Sequence, residues 1–274
     1  MCKLHQSWLR LLFLILIPVF CGRSLSADDT PTLTRDQIKQ FLLTAKVVNA
    51  HHSKKGITDT LRLTLSDGAV THDGSFQSID EHTAVKKFAD GHSEVRFVDS
   101  YKYNVAAYEL AELVGFDDMM PVYVERQYEG KNGSLSWWLN IKMDEVERVS
   151  KKLEPPDPDA WNNQMYKVRV FDQLVYDNDP NLTNVLIGPD WKIWRVDFSR
   201  SFRTNHQLRN PKDLVRCDRQ LFQRLKTLNA DELTAKTRAY LTKDEISAVM
   251  ARRDLIVQTF QKMIAEKGEK EVLY

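Results

Sequence analysis

Pro155, Pro156 and Pro158, with only Asp157 between them, form a segment that neither a helix nor a central strand can cross, because each proline lacks an amide hydrogen and fixes its own φ. The chain must therefore organise itself on either side of that point. Upstream, Leu61-Arg62-Leu63-Thr64-Leu65 alternates with period two, Ser66-Asp67-Gly68 supplies a turn, and residues 69–79 can return as a second strand. Residues 99–114 change to helical spacing, with Val105, Ala106, Leu110 and Leu113 recurring, Asp99 or Ser100 as cap and Gly115 as stop. Strands over 121–126 and 135–141, joined by a turn Gly130-Lys131-Asn132-Gly133, complete an order of hairpin, helix, hairpin.

Downstream, Met165, Val168, Phe171, Leu174 and Val175 mark a helix ending at Tyr176. A polar loop over 177–183 leads to short strands over 185–187 and 191–196 around Gly188-Pro189-Asp190, and the chain from Asp213 onward reads as mostly helical. The expected class is α+β with two lobes: a small β-rich lobe over 30–143 with one main helix, a linker over 144–159, and a mostly helical lobe over 160–274. Trp137 with Trp138, and Trp191 with Trp194, read as core or interlobe packing.

The first residues read differently. Lys3 and Arg10 precede an apolar run over 11–20, and Ser24 and Ser26 follow it, which is the layout of a signal peptide over 1–26. The run is short for a permanent anchor, so no stable transmembrane segment is expected after cleavage, and export to a periplasm or the extracellular space follows. Phe20 is not the small residue that lipid attachment at Cys21 would want. Of three cysteines only Cys217 then remains, so stability rests on an ordinary core, for which 42% apolar and 28% charged residues are suitable. A formal charge of +1 argues against a general nucleic-acid binder.

The stretch richest in chemistry is Tyr176-Asp177-Asn178-Asp179-Pro180-Asn181-Leu182-Thr183-Asn184, followed by the hairpin that ends in Asp197-Phe198-Ser199. Such residues also make plain turns with self-bonding side chains. A calcium loop fits poorly, because Leu182 and Gly188 occupy the places of its glycine and its bidentate glutamate. Asn132 and Asn181 begin glycosylation sequons, relevant only in a eukaryotic secretory pathway.

In type and spacing, Asp179, Asn184 five positions on and Asp197 thirteen further resemble the catalytic loop and metal-binding aspartate of protein-kinase-like enzymes. Asp179-Pro180-Asn181-Leu182-Thr183-Asn184 is closest in wording to the atypical branch, with HipA-type and phosphatidylinositol kinases. The resemblance implies a two-lobed kinase fold that uses ATP or another nucleotide with Mg2+ or Mn2+. Asp179 would accept or orient the attacking hydroxyl, with Asp177 a second candidate, and Asn184 and Asp197 would hold the cation. More loosely it extends upstream over most of the chain after the leader, where the positions of the nucleotide-gripping lysine and glutamate look like Gln77 and Asn104. An amide at each can bond the other without leaving an uncompensated charge in a cleft.

Lys54 and Lys55, beside Gly56, are substitute cations over the phosphates, with Lys86 and Lys87 further options; each also reads as a solvated surface lysine. Arg200 and Arg203 can meet an anion or a structural carboxylate. The seven histidines show no metal-ligand spacing. Two functions follow: an exported phosphotransferase with a protein or small-molecule acceptor, or a pseudokinase acting as an envelope binding module. Nucleotidyl transfer with the nucleotide reversed is a third.

Overall fold

The computed structural model describes residues 33–52, 60–179 and 181–274; the expected leader with Cys21, and Lys54 and Lys55, lie outside them. Helix α1 (Arg35–Thr44) starts at a capping box, in which the Thr34 hydroxyl accepts from the Gln37 amide and the Gln37 side chain accepts from the Thr34 amide. It buries Phe41 and Leu42, and the carbonyls of Leu42 and Ala45 at its end accept from Arg126, each at 2.6 Å. The chain continues through β1 (Lys46–His52), β2 (Leu61–Ser66) and β3 (Thr71–Gln77). A separate hairpin follows, β4 (Asp80–Lys87) with β5 (Ser93–Ser100), then α2 (Tyr101–Val114), β6 (Tyr123–Tyr128) and β7 (Lys131–Trp137).

Strands β1, β2, β3, β7 and β6, in that order, form one antiparallel sheet. Its inner strands bury Leu63, Leu65, Phe76 and Leu135, whereas β1 at the edge is almost wholly exposed. The turn between β6 and β7 is Glu129-Gly130, tighter and earlier than the expected residues 130–133. Both turn residues take positive φ, 47° and 77°, as a two-residue hairpin turn demands. Gly133 belongs to β7 instead, where a Cβ would meet the Phe76 ring at 2.6 Å.

Ser100 caps α2 and Gly115 closes it in the left-handed region. This helix is buried nearly all round because it packs on β6 and β7 on one side and on the C-terminal helices on the other. The segment expected as a linker holds β8 (Met143–Asp144) and α3 (Glu145–Ser150), capped by Asp144. The proline cluster then starts an element, since Asp157 caps α4 (Pro158–Val175) and Pro158 sits in its first turn, where a missing amide hydrogen costs nothing. β9 (Val185–Ile187) pairs with β8 and with β10 (Ile193–Arg195), and α5 (Arg219–Thr227), α6 (Ala230–Thr237), α7 (Lys243–Lys267) and α8 (Glu269–Val272) complete the helical region. An aromatic contact joins the two regions, with Phe116 stacked on Phe171 at 4.2 Å, and within the C-terminal region Phe171 meets Phe198 edge-on at 5.4 Å.

The fold is thus α+β, with a β-sheet N-terminal region and a helical C-terminal region. Among the described residues no helix is long and apolar enough to cross a membrane.

Candidate functional site

The polar loop and the β9–β10 hairpin bring Asp179, Asn184 and Asp197 together. α4 ends at Tyr176, whose φ of 53° turns the backbone out of the helix. The Asp179 amide donates to Asp177 Oδ1 at 3.1 Å, and the Asn181 side chain caps a 3-10 turn over Leu182–Asn184 by accepting from the Thr183 amide. Asn181 is therefore a turn residue with its side chain turned to local use. Across the hairpin the Val196 amide donates to Asn184 O at 3.1 Å, which fixes the end of the loop beside the residue preceding Asp197. Asp197 has a φ of 59°, a left-handed conformation that few residues other than glycine adopt and that aspartate tolerates better than most. Buried Tyr123 on β6 bonds the Asp197 backbone through its hydroxyl.

Asp177 and Asp179 have divided environments. Asp177 is 2% exposed and ion-paired with Arg195, itself 1% exposed, and Asp172 lies on the same guanidinium at 3.2 Å. Burial raises both carboxyls, and the attraction of Arg195 opposes it. Asp177 is thus committed to holding Arg195. Asp179 is the open one: its side chain is 45% exposed and meets Arg200 Nη1 at 3.0 Å.

Gln77 on β3 and Asn104 on α2 touch. Asn104 Nδ2 donates to Gln77 Oε1 at 2.6 Å, and Asn104 Oδ1 accepts from the Phe198 amide at 2.7 Å. The pair thereby links the sheet, the helix and the residue after Asp197. Lys86 is bound to Glu81 at 2.6 Å and covers the Phe97 ring, while Lys87 is exposed. Neither reaches the amide pair in this arrangement.

Glu94 on β5 reaches the loop of Asp179, a contact that sequence reasoning missed. Its carboxylate takes Arg200 and Arg203 as ion-pair partners and accepts from Asn178 Nδ2 at 2.9 Å. Arg200 therefore bridges Glu94 and Asp179 while lying over Phe88 and Phe97, and both arginines meet carboxylates of the chain itself. Arg252, likewise missed, is fully buried on α7 and donates to Leu174 O at 2.8 Å and Arg203 O at 2.9 Å. Local sequence carried no signal for either, because their partners are far along the chain.

Asp197 and Asp99, which feel each other's charge, offer carboxylate oxygens of the kind that suits a hard divalent cation. Among the described residues the Asp197 carboxylate has only a long contact of 3.4 Å from the Ser199 amide. Asp99, at the end of β5, is buried with its Oδ1 lacking any hydrogen-bond partner among the described residues. Among those residues no group of three His, Cys, Asp or Glu is arranged to hold a metal. A bound ion would therefore draw the rest of its ligands from Asn184, water and a phosphate-bearing partner. A separate cavity of about 500 Å³, walled by Ile38, Trp137, Pro189 and Trp194, does not include these residues.

Comparison with known proteins places the chain in the protein-kinase-like fold. A hydra Fam20 structure determined with sugar superposes with a TM-score of 0.59 at 17% identity, over 87% of this chain and 91% of that one. The Helicobacter pylori proinflammatory kinase CtkA superposes with a TM-score of 0.50 at 8% identity, over 82% of this chain and 97% of that one. No family model and no curated protein matches the sequence.

Proposed function

We propose that this protein is an exported phosphotransferase of the atypical kinase branch, which uses a nucleotide with Mg2+ or Mn2+ and a hydroxyl acceptor of unidentified kind. The observation that carries the reading is the Val196 to Asn184 backbone bond, which holds the end of the Asp179 loop against the residue preceding Asp197. Asp179 accepts the proton as the acceptor oxygen bonds to the terminal phosphorus and the bond to the departing nucleoside diphosphate breaks. Asn184 and Asp197 hold the cation, which neutralises phosphate charge when bound. Gln77 and Asn104 replace the usual ion pair by a neutral amide contact. In this reading residues 1–26 are the leader, 30–143 and 160–274 are the two lobes, and the site works in a periplasm or outside the cell.

The test is a thermal-shift titration of the purified protein with ATP, with and without Mg2+ or Mn2+, because a ligand of the native state alone raises its melting temperature. A cation-dependent rise that Asp197→Ala removes supports the reading. Absence of any shift at millimolar ATP sinks it. A second reading then takes its place: a kinase-like binding module, favoured by the amide pair at Gln77 and Asn104 and by Arg200 resting on Asp179.

A further inference from the structure

Asp99 is the next-to-last residue of β5, directly before the α2 cap Ser100, and lies opposite Glu81 in the strand pairing. The Ser100 amide donates to Ser199 O at 2.8 Å, which pins the neighbour of Asp99 to the residue two past Asp197. Asp99 is 8% exposed with the Ser199 side chain beside its carboxylate, yet Oδ1 has no hydrogen-bond partner among the described residues. Burial holds this carboxyl above the ordinary range, and the negative charges of Asp197 and Glu81 add to the effect. Arg200 is the opposing positive charge, but its terminal nitrogens already serve Asp179 and Glu94. A buried carboxylate with an open oxygen and like-charged neighbours is relieved by a proton or by a cation that joins it. The ion that suits two carboxylates, an amide oxygen and water is a divalent hard cation.

We propose that Asp99 is a carboxylate of the cation site, joining Asp197 across the Ser100–Ser199 contact and acting on the ion directly or through its coordinated water. This rests on the cation-binding reading of Asp197. It goes beyond that reading by drawing one acidic group from the β4–β5 hairpin and another from the segment just after β10, so cation binding fastens the hairpin to the loop that carries Asp179.

The experiment is a Mn2+ titration of the full chain, alone and with ADP present, read by the paramagnetic resonance signal of free Mn2+ and by melting temperature. Wild-type protein is expected to bind and Asp197→Asn to lose binding. Asp99→Asn is expected to weaken the dissociation constant by about tenfold or more, as loss of an outer carboxylate at a metal site does. Its metal-free melting temperature should be equal to or above wild type, because the amide conserves volume and removes a buried charge. Asp99→Glu should bind within a few-fold of wild type, and Asp99→Ser gives the same reading as the amide should Asp99→Asn not fold. Wild-type affinity in Asp99→Asn beside lost binding in Asp197→Asn overturns the role of Asp99 and leaves the site standing. No Mn2+ binding by wild-type protein in either condition overturns both.

Discussion

Asn104 donates its side-chain amide to Gln77 at 2.6 Å, deep in the joint between sheet and helix, and its carbonyl oxygen holds the Phe198 amide. Removing Asn104 orphans two buried polar groups at once. Asn104→Ala is expected to cost about 2–4 kcal/mol in urea unfolding, since each buried group left unsatisfied costs about 1–3 kcal/mol. Asn104→Glu alone places an unpaired charge there and should also destabilise. Adding Gln77→Lys should recover part of that loss, with favourable coupling in a double-mutant cycle. Additive single effects would show that the two positions do not meet as described.

Asp177 and Asp179 stand two residues apart and should fail in opposite ways. Asp177→Asn leaves Arg195 buried with reduced compensation, so about 3–5 kcal/mol of stability should be lost. Asp179→Asn removes only a half-exposed ion pair and should change stability by under about 1 kcal/mol, while abolishing any phosphotransfer the protein performs. Chemical denaturation of the two variants side by side checks the division. Equal losses would mean that Asp179 is structural too.

Much of this was legible because the chemistry sits close along the chain. The spacing of Asp179, Asn184 and Asp197 spans one loop and one hairpin, so short covalent connections set their proximity, and paired amides at Gln77 and Asn104 suggested their own contact. The β4–β5 hairpin was not legible. Its strands are exposed along much of both faces, so no apolar alternation announced them. β1 was silent for the same reason. Glu94 and Arg252 owe their roles to partners as far as 109 and 78 residues away in sequence, which no local pattern records.

Glu94 clasps the hairpin to the loop of Asp179 through Arg200, Arg203 and Asn178. Glu94→Gln keeps the size and removes the charge, so the strap should loosen while the core stays intact. Limited proteolysis is expected to cut faster between β4 and β5, and raised salt should have less effect on the variant than on wild type, because the ion pairs it would screen are gone. Unchanged cleavage would show that Phe88 and Phe97 packing under Arg200 holds the hairpin without the carboxylate.

His72 gives a pH prediction with a definite sign. Its ring stacks on Trp137 at 3.4 Å, and burial lowers its pKa from 6.5, with the Asp73 backbone contact opposing the shift. The unfolded chain then binds the proton more readily than the folded one. This contribution to stability is fully present above about pH 6.5 and is lost as pH falls through the lower folded value. His72→Phe keeps the stack and removes the titration. Urea midpoints measured from pH 7.5 down to pH 5 should fall more steeply for wild type than for the variant; parallel slopes would place the His72 ring in water rather than against Trp137.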